Sequence, residues 1–425
     1  MTLALGLACL VIGARPGYTG APRSAVEEFA SLREEADAAR RSGDKQARLQ
    51  AVLKIKHLLN DAPDAVEAAA EAYAEAGEAE PALAALREFA DLGQADDGLL
   101  RRENRKFAAL QKLPQYQAIL RRFTENKTVI LRAERAFELS DPGLIAEDID
   151  YDPESKTFLI SSVLEKKIVR VTTEGKTTDF APSPSGWPML ALKVDTTHNL
   201  VWATEVALDG FTVAPKSAWG RSAVLSFDLS TGQLRQRIGG PAPAELGDMV
   251  LTREGNPMVS DGGGGGVYRV NGDRLERIDA GDFISPQTPA IDPDGKHVFV
   301  PDYARGIGVL DLTTKSVTWL DQPAKYAVNG IDGLYFTGGA LIATQNGTNP
   351  ERVIRFQLNS RRSDIVSEQV IERATATLGD PTHGVVVGDW FYYIANSGWS
   401  AVDEHGNPKA GSKLTPARIM RFRLR

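Results

Sequence analysis

The stretch AEDIDYDPESKTFLISS, residues 146–162, has two runs of alternating apolar and polar residues on either side of a turn-forming segment, DPESK. This pattern predicts two short antiparallel strands. Five later stretches repeat the same plan at intervals of roughly 40 to 50 residues. They are residues 189–205, 246–261, 288–302, 331–345 and 382–396.

Most of these repeats continue into a third apolar strand, such as KIVRV at residues 167–171 after the first one. Units of about four short strands at such a period are typical of a β-propeller, in which radial repetition protects the strand edges. The fold class predicted for residues 127–425 is therefore an all-β six-bladed β-propeller.

The last repeat has no fourth strand after it, because its third strand, RIMRFRLR, occupies residues 418–425. The stretch TVILRAERAFEL, residues 128–139, stands just before the first repeat and is predicted to supply the missing outer strand. This pairing would tie the two ends of the β domain together. It would also dock the preceding segment on the propeller rim.

Residues 22–126 have a different composition, rich in Ala, Glu, Leu and Arg with apolar residues at helical spacing. Breaks at residues 42–43, 60–63 and 76–77 separate helices of about 15 residues. Four or five helices in this rhythm predict a tetratricopeptide-like α-helical domain, which could bind a protein partner. The alternative is a helical spacer with no partner, since two repeats bury little groove.

The charge balance narrows the choice of partners. The chain of 425 residues has a formal net charge of -7, so it offers no basic surface for a nucleic-acid backbone. Nucleic acid is therefore excluded as a main partner, and a small-molecule ligand or a bound cation is favoured.

The first residues, MTLALGLACLVIGA, are apolar enough for the core of a signal peptide, although no Lys or Arg precedes them. Residues 1–21 are predicted to be a signal peptide and linker, which implies export to the periplasm or secretion. If this segment is not a signal, the location is cytoplasmic. The segment is shorter than the roughly 18 residues of a membrane span. Cleavage would also remove Cys9, the only cysteine.

Five consecutive glycines occur in SDGGGGGVYRV, residues 260–270. A phosphate-binding loop would place a helix directly after the glycines. Here VYRV predicts a strand instead, so nucleotide binding is rejected. The glycines are predicted to allow a positive-φ turn between the second and third strands of the third repeat.

The first repeat also contains a recognisable motif. AEDIDYD resembles the Ala-Glu-Gly-Pro-x-Trp-Asp pattern of the gluconolactonase, senescence marker protein and luciferin-regenerating enzyme family, with Glu147 on the glutamate, Tyr151 on the tryptophan and Asp152 on the turn aspartate. Residues 247–270 are similar to the family's third-blade stretch. NGIDGLYF, residues 329–336, is similar to its Pro-Asp-Gly segment.

This resemblance implies metal-dependent hydrolysis of a lactone or sugar-derived ester, with one divalent cation, commonly Ca²⁺, over the central channel. Glu147 would be a metal ligand, and Asp332 a ligand and general base. Where the family has asparagine ligands, this chain has Gly247 with Asp248 beside it, and Gln287. The implied metal set is therefore Glu147, Asp248, Gln287 and Asp332.

A shift of one residue in the alignment would select Asp148, Asp248, Asp332 and His383 instead. His383 resembles channel histidines of the paraoxonase branch of such propellers and is a second candidate for the catalytic base. Two alternatives stay open. The acidic residues could cap turns or bind water while His383 is only a hydrogen-bonded tunnel histidine, or the propeller could be a non-catalytic scaffold with a helical adaptor.

Overall fold

The computed structural model describes residues 23–100, 105–211, 215–323, 325–403 and 405–424. The predicted signal segment at residues 1–21, with Cys9, lies outside these ranges. Within them, no helix is both long enough and apolar enough to cross a membrane.

Six antiparallel sheets form the β part of the chain, and the predicted six-bladed propeller is confirmed. The strands of blades 1 and 2, labelled β3 to β10 in chain order, are Ala146–Asp152, Thr157–Ser162, Lys167–Val171, Thr177–Pro182, Met189–Asp195, Leu200–Val206, Ser222–Asp228 and Leu234–Gly239. Those of blades 3 and 4, labelled β11 to β18, are Leu246–Leu251, Pro257–Asp261, Gly266–Asn271, Arg274–Arg277, Ala290–Ile291, His297–Asp302, Gly306–Asp311 and Val317–Trp319.

The last two blades each take a strand from the stretch before blade 1. Blade 6 has β23 to β25, and its outer strand is β2, which pairs with β25 and closes the ring as predicted. Blade 5 has β19 to β22, and the two-residue β1 extends it beside β22. The strands are Ile130–Leu131, Glu134–Glu138, Ile331–Thr337, Ala340–Gln345, Arg352–Leu358, Ile365–Arg373, Gly384–Val387, Trp390–Ile394 and Arg418–Arg423.

Apolar packing between neighbouring sheets stabilises this ring. At the junction of the first and last blades, the ring of Phe158 lies 5.1 Å from the rings of both Phe137 and Tyr392, measured between centroids. Phe158 is 1% exposed, so this closure buries a large apolar area.

The innermost strands of blades 1, 2, 3 and 5 contain bulges near their starts. The pairing register shifts between Ala146 and Ile149 in blade 1, and between Ile331 and Gly333 in blade 5. Buried hydroxyl groups form hydrogen bonds with the backbone groups that the bulges displace. The Ser161 hydroxyl accepts a hydrogen bond from the Asp148 N–H at 2.9 Å and donates one to the carbonyl of Leu190 in blade 2. These bulges fix the positions of the residues that reach the propeller axis.

Six helices precede the propeller in the described residues, where four or five were predicted, and the first four form two antiparallel pairs in the predicted tetratricopeptide-like rhythm. The helices, labelled α1 to α6 in chain order, are Ala25–Ser42, Lys45–Leu58, Pro63–Ala76, Ala79–Asp91, Asp97–Leu100 and Pro114–Asn126. Gly43 and Gly77 end α1 and α3 in left-handed conformations, with φ of 75° and 83°. Single-turn 3-10 helices lie at Lys216–Ala218 and Trp399–Ala401.

The helices pack on the face of the propeller that carries the loops between the second and third strands, not on its rim as predicted. Phe29 and Leu59 share one buried apolar cluster with Ile284 and Ala304 of blade 4. The apolar propeller residues that contact the helices lie in one of these loops and in the connections between blades on the same face, at Ala304, Ile284 and Ala327.

The five glycines take part in this docking. Gly265 has φ of 71°, so the predicted positive-φ turn is confirmed at this one position. A Cβ atom on Gly265 would lie 2.5 Å from both a side-chain carbon of Val26 in α1 and the carbonyl oxygen of Phe283. Strand β13, not a helix, follows the glycines. The turn therefore allows α1 to approach the propeller closely.

Candidate axial metal and catalytic site

Three of the predicted site residues meet at the propeller axis. Glu147, Asp332 and His383 come from blades 1, 5 and 6, at or just before the innermost strands. Each offers one ligand atom, and these atoms all lie within 4.8 Å of one another. Glu147 is partly exposed, whereas Asp332 and His383 are buried. The arrangement brings donors from distant parts of the sequence to one point, as a cation site requires.

His383 donates hydrogen bonds from both ring nitrogens. Nδ1 lies 2.8 Å from the backbone carbonyl oxygen of Glu147, and Nε2 lies 2.7 Å from Oδ1 of Asp248. A carbonyl oxygen and a carboxylate oxygen both accept hydrogen bonds, so the ring fits as an imidazolium. His383 could act as a base only after losing a proton and one of these bonds, and its catalytic role stays a prediction.

Neighbouring carboxylates maintain this charge. Burial alone would lower the pKa of His383, but Asp148, Asp248 and Asp332 outweigh it and raise the pKa well above its ordinary value. Asp248 is 4% exposed and accepts a further hydrogen bond of 2.6 Å from the hydroxyl of Thr288. Asp248 is therefore the partner of His383 in this structure.

Asp332 is held by a chain of two neutral side chains. Its Oδ2 accepts a hydrogen bond of 2.8 Å from Nδ2 of Asn346, and the Oδ1 of Asn346 accepts one of 3.0 Å from the hydroxyl of Tyr303. Burial raises the pKa of Asp332 to about 6, against the opposing effects of His383 and Asn346. At neutral pH this carboxyl is mainly ionised, and Asn346 fixes its orientation.

Glu147 lies in a different environment. Its Oε2 accepts a hydrogen bond of 2.6 Å from the indole nitrogen of Trp399, which belongs to the long loop of blade 6. Burial, followed by repulsion from the carboxylate of Asp332, raises the pKa of Glu147 to about 8. Glu147 and Asp332 thus ionise at different pH values, because two close carboxylates in a buried site oppose each other's ionisation.

Sequence reasoning missed Lys193 of β7. Its Nζ donates to Oδ2 of Asp148 at 2.6 Å and to the carbonyl of Leu192 at 2.8 Å, with 12% of the side chain exposed. A strand pattern alone gives no signal for this pairing, because the partner comes from the neighbouring blade.

The remaining predicted ligand, Gln287, is held by hydrogen bonds within its own loop. The amide nitrogen of Gln287 donates to the carbonyl and hydroxyl oxygens of Ser285, at 3.2 and 3.1 Å. Its side chain is thus directed back to its own loop. Gly247 has no side chain to offer at the third-blade position.

Acidic side chains outnumber basic side chains at the axis. Five carboxyl groups lie near two basic side chains, which leaves an excess of negative charge when all of them are ionised. The carboxyl groups belong to Glu147, Asp148, Asp150, Asp248 and Asp332, and the basic groups to Lys193 and His383. A divalent cation would neutralise part of this excess.

Comparisons with known proteins concern the fold. No protein-family model matches this chain, and no curated protein matches it. Similar solved structures include regucalcin, a calcium-binding protein from Agrobacterium tumefaciens, with 15% identity, a TM-score of 0.49 and coverage of 69% of this chain and 95% of that chain.

A gluconolactonase from Xanthomonas campestris has 13% identity and a TM-score of 0.45, with 70% of this chain and 100% of that chain covered. The PQQ-bound aldose sugar dehydrogenase of Streptomyces coelicolor has 15% identity and a TM-score of 0.48, with 69% of this chain and 97% of that chain covered. A fold does not determine a function, so the function is argued from the site.

Proposed function

We propose that the axial site holds one divalent cation, best matched by Ca²⁺, and hydrolyses a lactone or sugar-derived ester. The observation that carries this proposal is the convergence of Glu147, Asp332 and His383 from three blades, with ligand atoms within 4.8 Å of one another. The five carboxyl groups near the axis outnumber the two basic groups, and a divalent ion offsets this negative charge more fully than a monovalent one.

The donor chemistry fits a hard cation. Glu147 and Asp332 supply carboxylate oxygens, which Ca²⁺ prefers. His383 would join them only after losing a proton, because both of its ring nitrogens donate hydrogen bonds. In this proposal Glu147 and Asp332 hold the cation, and Asp248 acts through His383.

When bound, such a cation would polarise the ester carbonyl and stabilise negative charge on its oxygen. Asp332 is the group suited to accept a proton from the attacking water. Its Oδ2 is occupied by Asn346, and Oδ1 accepts no hydrogen bond from the described residues. Asn346 and Tyr303 are positioning residues, since they act through Asp332. The pKa of Asp332 is about 6 without a cation, and a bound cation would lower it, so the carboxylate would be ionised and able to accept a proton at neutral pH.

A non-catalytic propeller that binds a small ligand, or a protein partner through its helices, is the second candidate. It is favoured by the two positions where the family has asparagine ligands, because Gly247 has no side chain and the amide nitrogen of Gln287 is bound to Ser285. A site that has lost two of the family's ligand positions could bind without catalysing hydrolysis.

An assay of lactone hydrolysis with and without Ca²⁺ distinguishes the hydrolase from the non-catalytic binding protein. We expect activity that depends on Ca²⁺ and falls by a factor of at least about 10² in Asp332→Asn, a typical loss when an acid–base group is removed. Glu147→Gln removes a cation ligand, so its activity should also fall and should need more Ca²⁺. His57→Gln, on the exposed side of α2, is the matched control and should retain activity. Calcium binding without hydrolysis in the wild type would favour the binding scaffold.

A further inference from the structure

Trp399 approaches the axial site from the long loop of blade 6. It is the first residue of the single-turn 3-10 helix Trp399–Ala401. The hydrogen bond from its indole Nε1 to Oε2 of Glu147, 2.6 Å long, joins residues 252 positions apart in the sequence. Both side chains are partly exposed, so this contact lies on the solvent-accessible side of the axial group.

Backbone contacts bring the two residues together. The N–H of Ala146, beside Glu147, donates to the carbonyl of Ser397 at 3.1 Å. Gly398 follows with φ of 102°, a left-handed conformation that turns the chain just before Trp399. The indole therefore starts from a backbone that is itself bonded to the strand carrying Glu147.

Apolar packing fixes the indole ring. Its centroid lies 5.2 Å from that of the Phe211 ring, with 68° between the ring planes, the edge-to-face geometry that aromatic pairs favour. Phe211 is 8% exposed and belongs to the loop between the second and third strands of blade 2. The indole packs against a cluster of buried side chains, which are Ile145, Val163, Leu190, Val206, Phe211 and Val402. A ring held in this way presents its N–H in one direction.

The indole N–H suits a carboxylate that holds a cation. It can only donate a hydrogen bond, so Trp399 cannot be a ligand itself. It occupies Oε2 of Glu147, and Oε1 accepts no hydrogen bond from the described residues. Hydrogen bonds from neighbouring groups orient ligating carboxylates, and their loss typically lowers metal affinity or activity by about 10- to 100-fold.

We propose that Trp399 is a positioning residue of the axial cation site, which acts by fixing the carboxylate of Glu147. This role rests on the proposed function, because Glu147 is a ligand of the site proposed there. A carboxylate already held in its binding orientation loses less conformational freedom when the cation binds. Trp399 is thus to Glu147 what Asn346 is to Asp332.

Two substitutions distinguish this role from space filling. Trp399→His keeps a five-membered ring whose Nε2 takes the place of the indole Nε1, so an N–H donor remains while most of the packing on Phe211 is lost. Trp399→Phe keeps a six-membered ring for that packing but removes the donor. A positioning role predicts tighter Ca²⁺ binding by Trp399→His than by Trp399→Phe. Space filling alone predicts the reverse order.

The measurement is calcium titration calorimetry of the full chain at about pH 8, where a histidine with an ordinary pKa of ~6.5 is neutral. We expect Trp399→Phe to weaken Ca²⁺ binding by about 10- to 100-fold, and Trp399→His to weaken it less. Trp390→Phe is the matched control. Its ring, on β24, packs on Arg421, whose Cζ lies 4.3 Å from the ring centroid, and this variant should keep the wild-type affinity.

Tryptophan fluorescence gives a second readout. Calcium binding changes the charge beside the Trp399 indole, so it should change the emission of the wild type and of Trp390→Phe. The emission of Trp399→Phe should stay nearly constant during the same titration. Thermal melts of the metal-free variants, followed by circular dichroism, establish that each one is folded.

The possible failures point to different conclusions. Equal Ca²⁺ affinity of the wild type and Trp399→Phe, or tighter binding by Trp399→Phe than by Trp399→His, would overturn the role of Trp399 and leave the cation site intact. Absence of Ca²⁺ binding in the wild type would contradict the proposed cation site itself, and the role of Trp399 with it.

Discussion

At the scale of single residues, His383 determines how the axial group behaves without metal. It is 1% exposed and joins the backbone of blade 1 to Asp248 of blade 3 through its two N–H groups. The sequence placed His383 at the axis but could not show its protonation, because that depends on acceptors contributed by residues 135 and 236 positions away. The imidazolium supplies part of the positive charge that a cation would supply.

A pH dependence of stability follows for the metal-free protein. The folded-state pKa values of His383 and Glu147 are both raised, the latter to about 8. Each group therefore contributes to the free energy of unfolding. This contribution is fully present below the pKa that the group has in the unfolded chain, and it is lost as pH rises to the pKa in the folded protein. We expect the melting temperature without metal to fall as pH rises from 4.5, the ordinary pKa of a glutamate, to about 8, and the fall to be smaller in Glu147→Gln.

Calcium should reverse this trend, because metal binding needs ionised carboxyl groups and becomes tighter as pH rises. Thermal melts across this pH range, with chelator and with Ca²⁺, provide the measurement. A metal-free melting temperature that rises through pH 8 would show that these groups are not perturbed as described.

At the scale of elements, the repeat pattern predicted the strands, but not the bulges at the starts of the innermost ones. A bulge places two successive residues near the axis, so Glu147 and Asp148 both reach the site by different routes. The two alignments left open by the sequence are therefore not exclusive. Pattern reasoning assumes strict alternation, and a bulge breaks it without a distinctive residue type.

The hydroxyl that supports the bulge in blade 1 should contribute to stability. Ser161→Ala leaves the N–H of Asp148 and the carbonyl of Leu190 without their buried partner, so we expect a loss of about 1–3 kcal/mol in the free energy of unfolding. Denaturant unfolding measures it. Ser367→Ala, on the exposed face of β22, is the matched control and should change stability by less than about 0.5 kcal/mol. Equal effects of the two substitutions would remove the structural role of Ser161.

At the scale of the whole molecule, the helical domain and the propeller share apolar cores. Leu92 and Phe123 cluster with Ala327 of the propeller, and Phe29 clusters with Ile284. The breaks at residues 42–43, 60–63 and 76–77 predicted the boundaries between α1, α2, α3 and α4, whereas the bounds of α5 and α6 were not predicted. The docked face of the propeller was not predictable either, because it depends on loops that carry no periodic signal.

Shared cores predict that both parts unfold together. All six tryptophans lie between residues 187 and 399, so their fluorescence follows the propeller while the helical dichroism signal follows α1 to α6. We expect coincident transitions, and Ile284→Ala should shift both by about 2–5 kcal/mol, as for other buried isoleucine truncations. Separate transitions, or a shift of the fluorescence signal alone, would show that the helices are not held by this contact.

The central claim is that carboxylates from different blades hold one divalent cation at the axis. The most direct measurement is a crystal structure of the protein grown with Ca²⁺, with the ion located by its anomalous scattering. We predict one ion per chain, with oxygens of Glu147 and Asp332 at roughly 2.3–2.6 Å, the usual range for calcium. An axis without an ion at saturating Ca²⁺, or an ion bound only at other residues, would contradict the account.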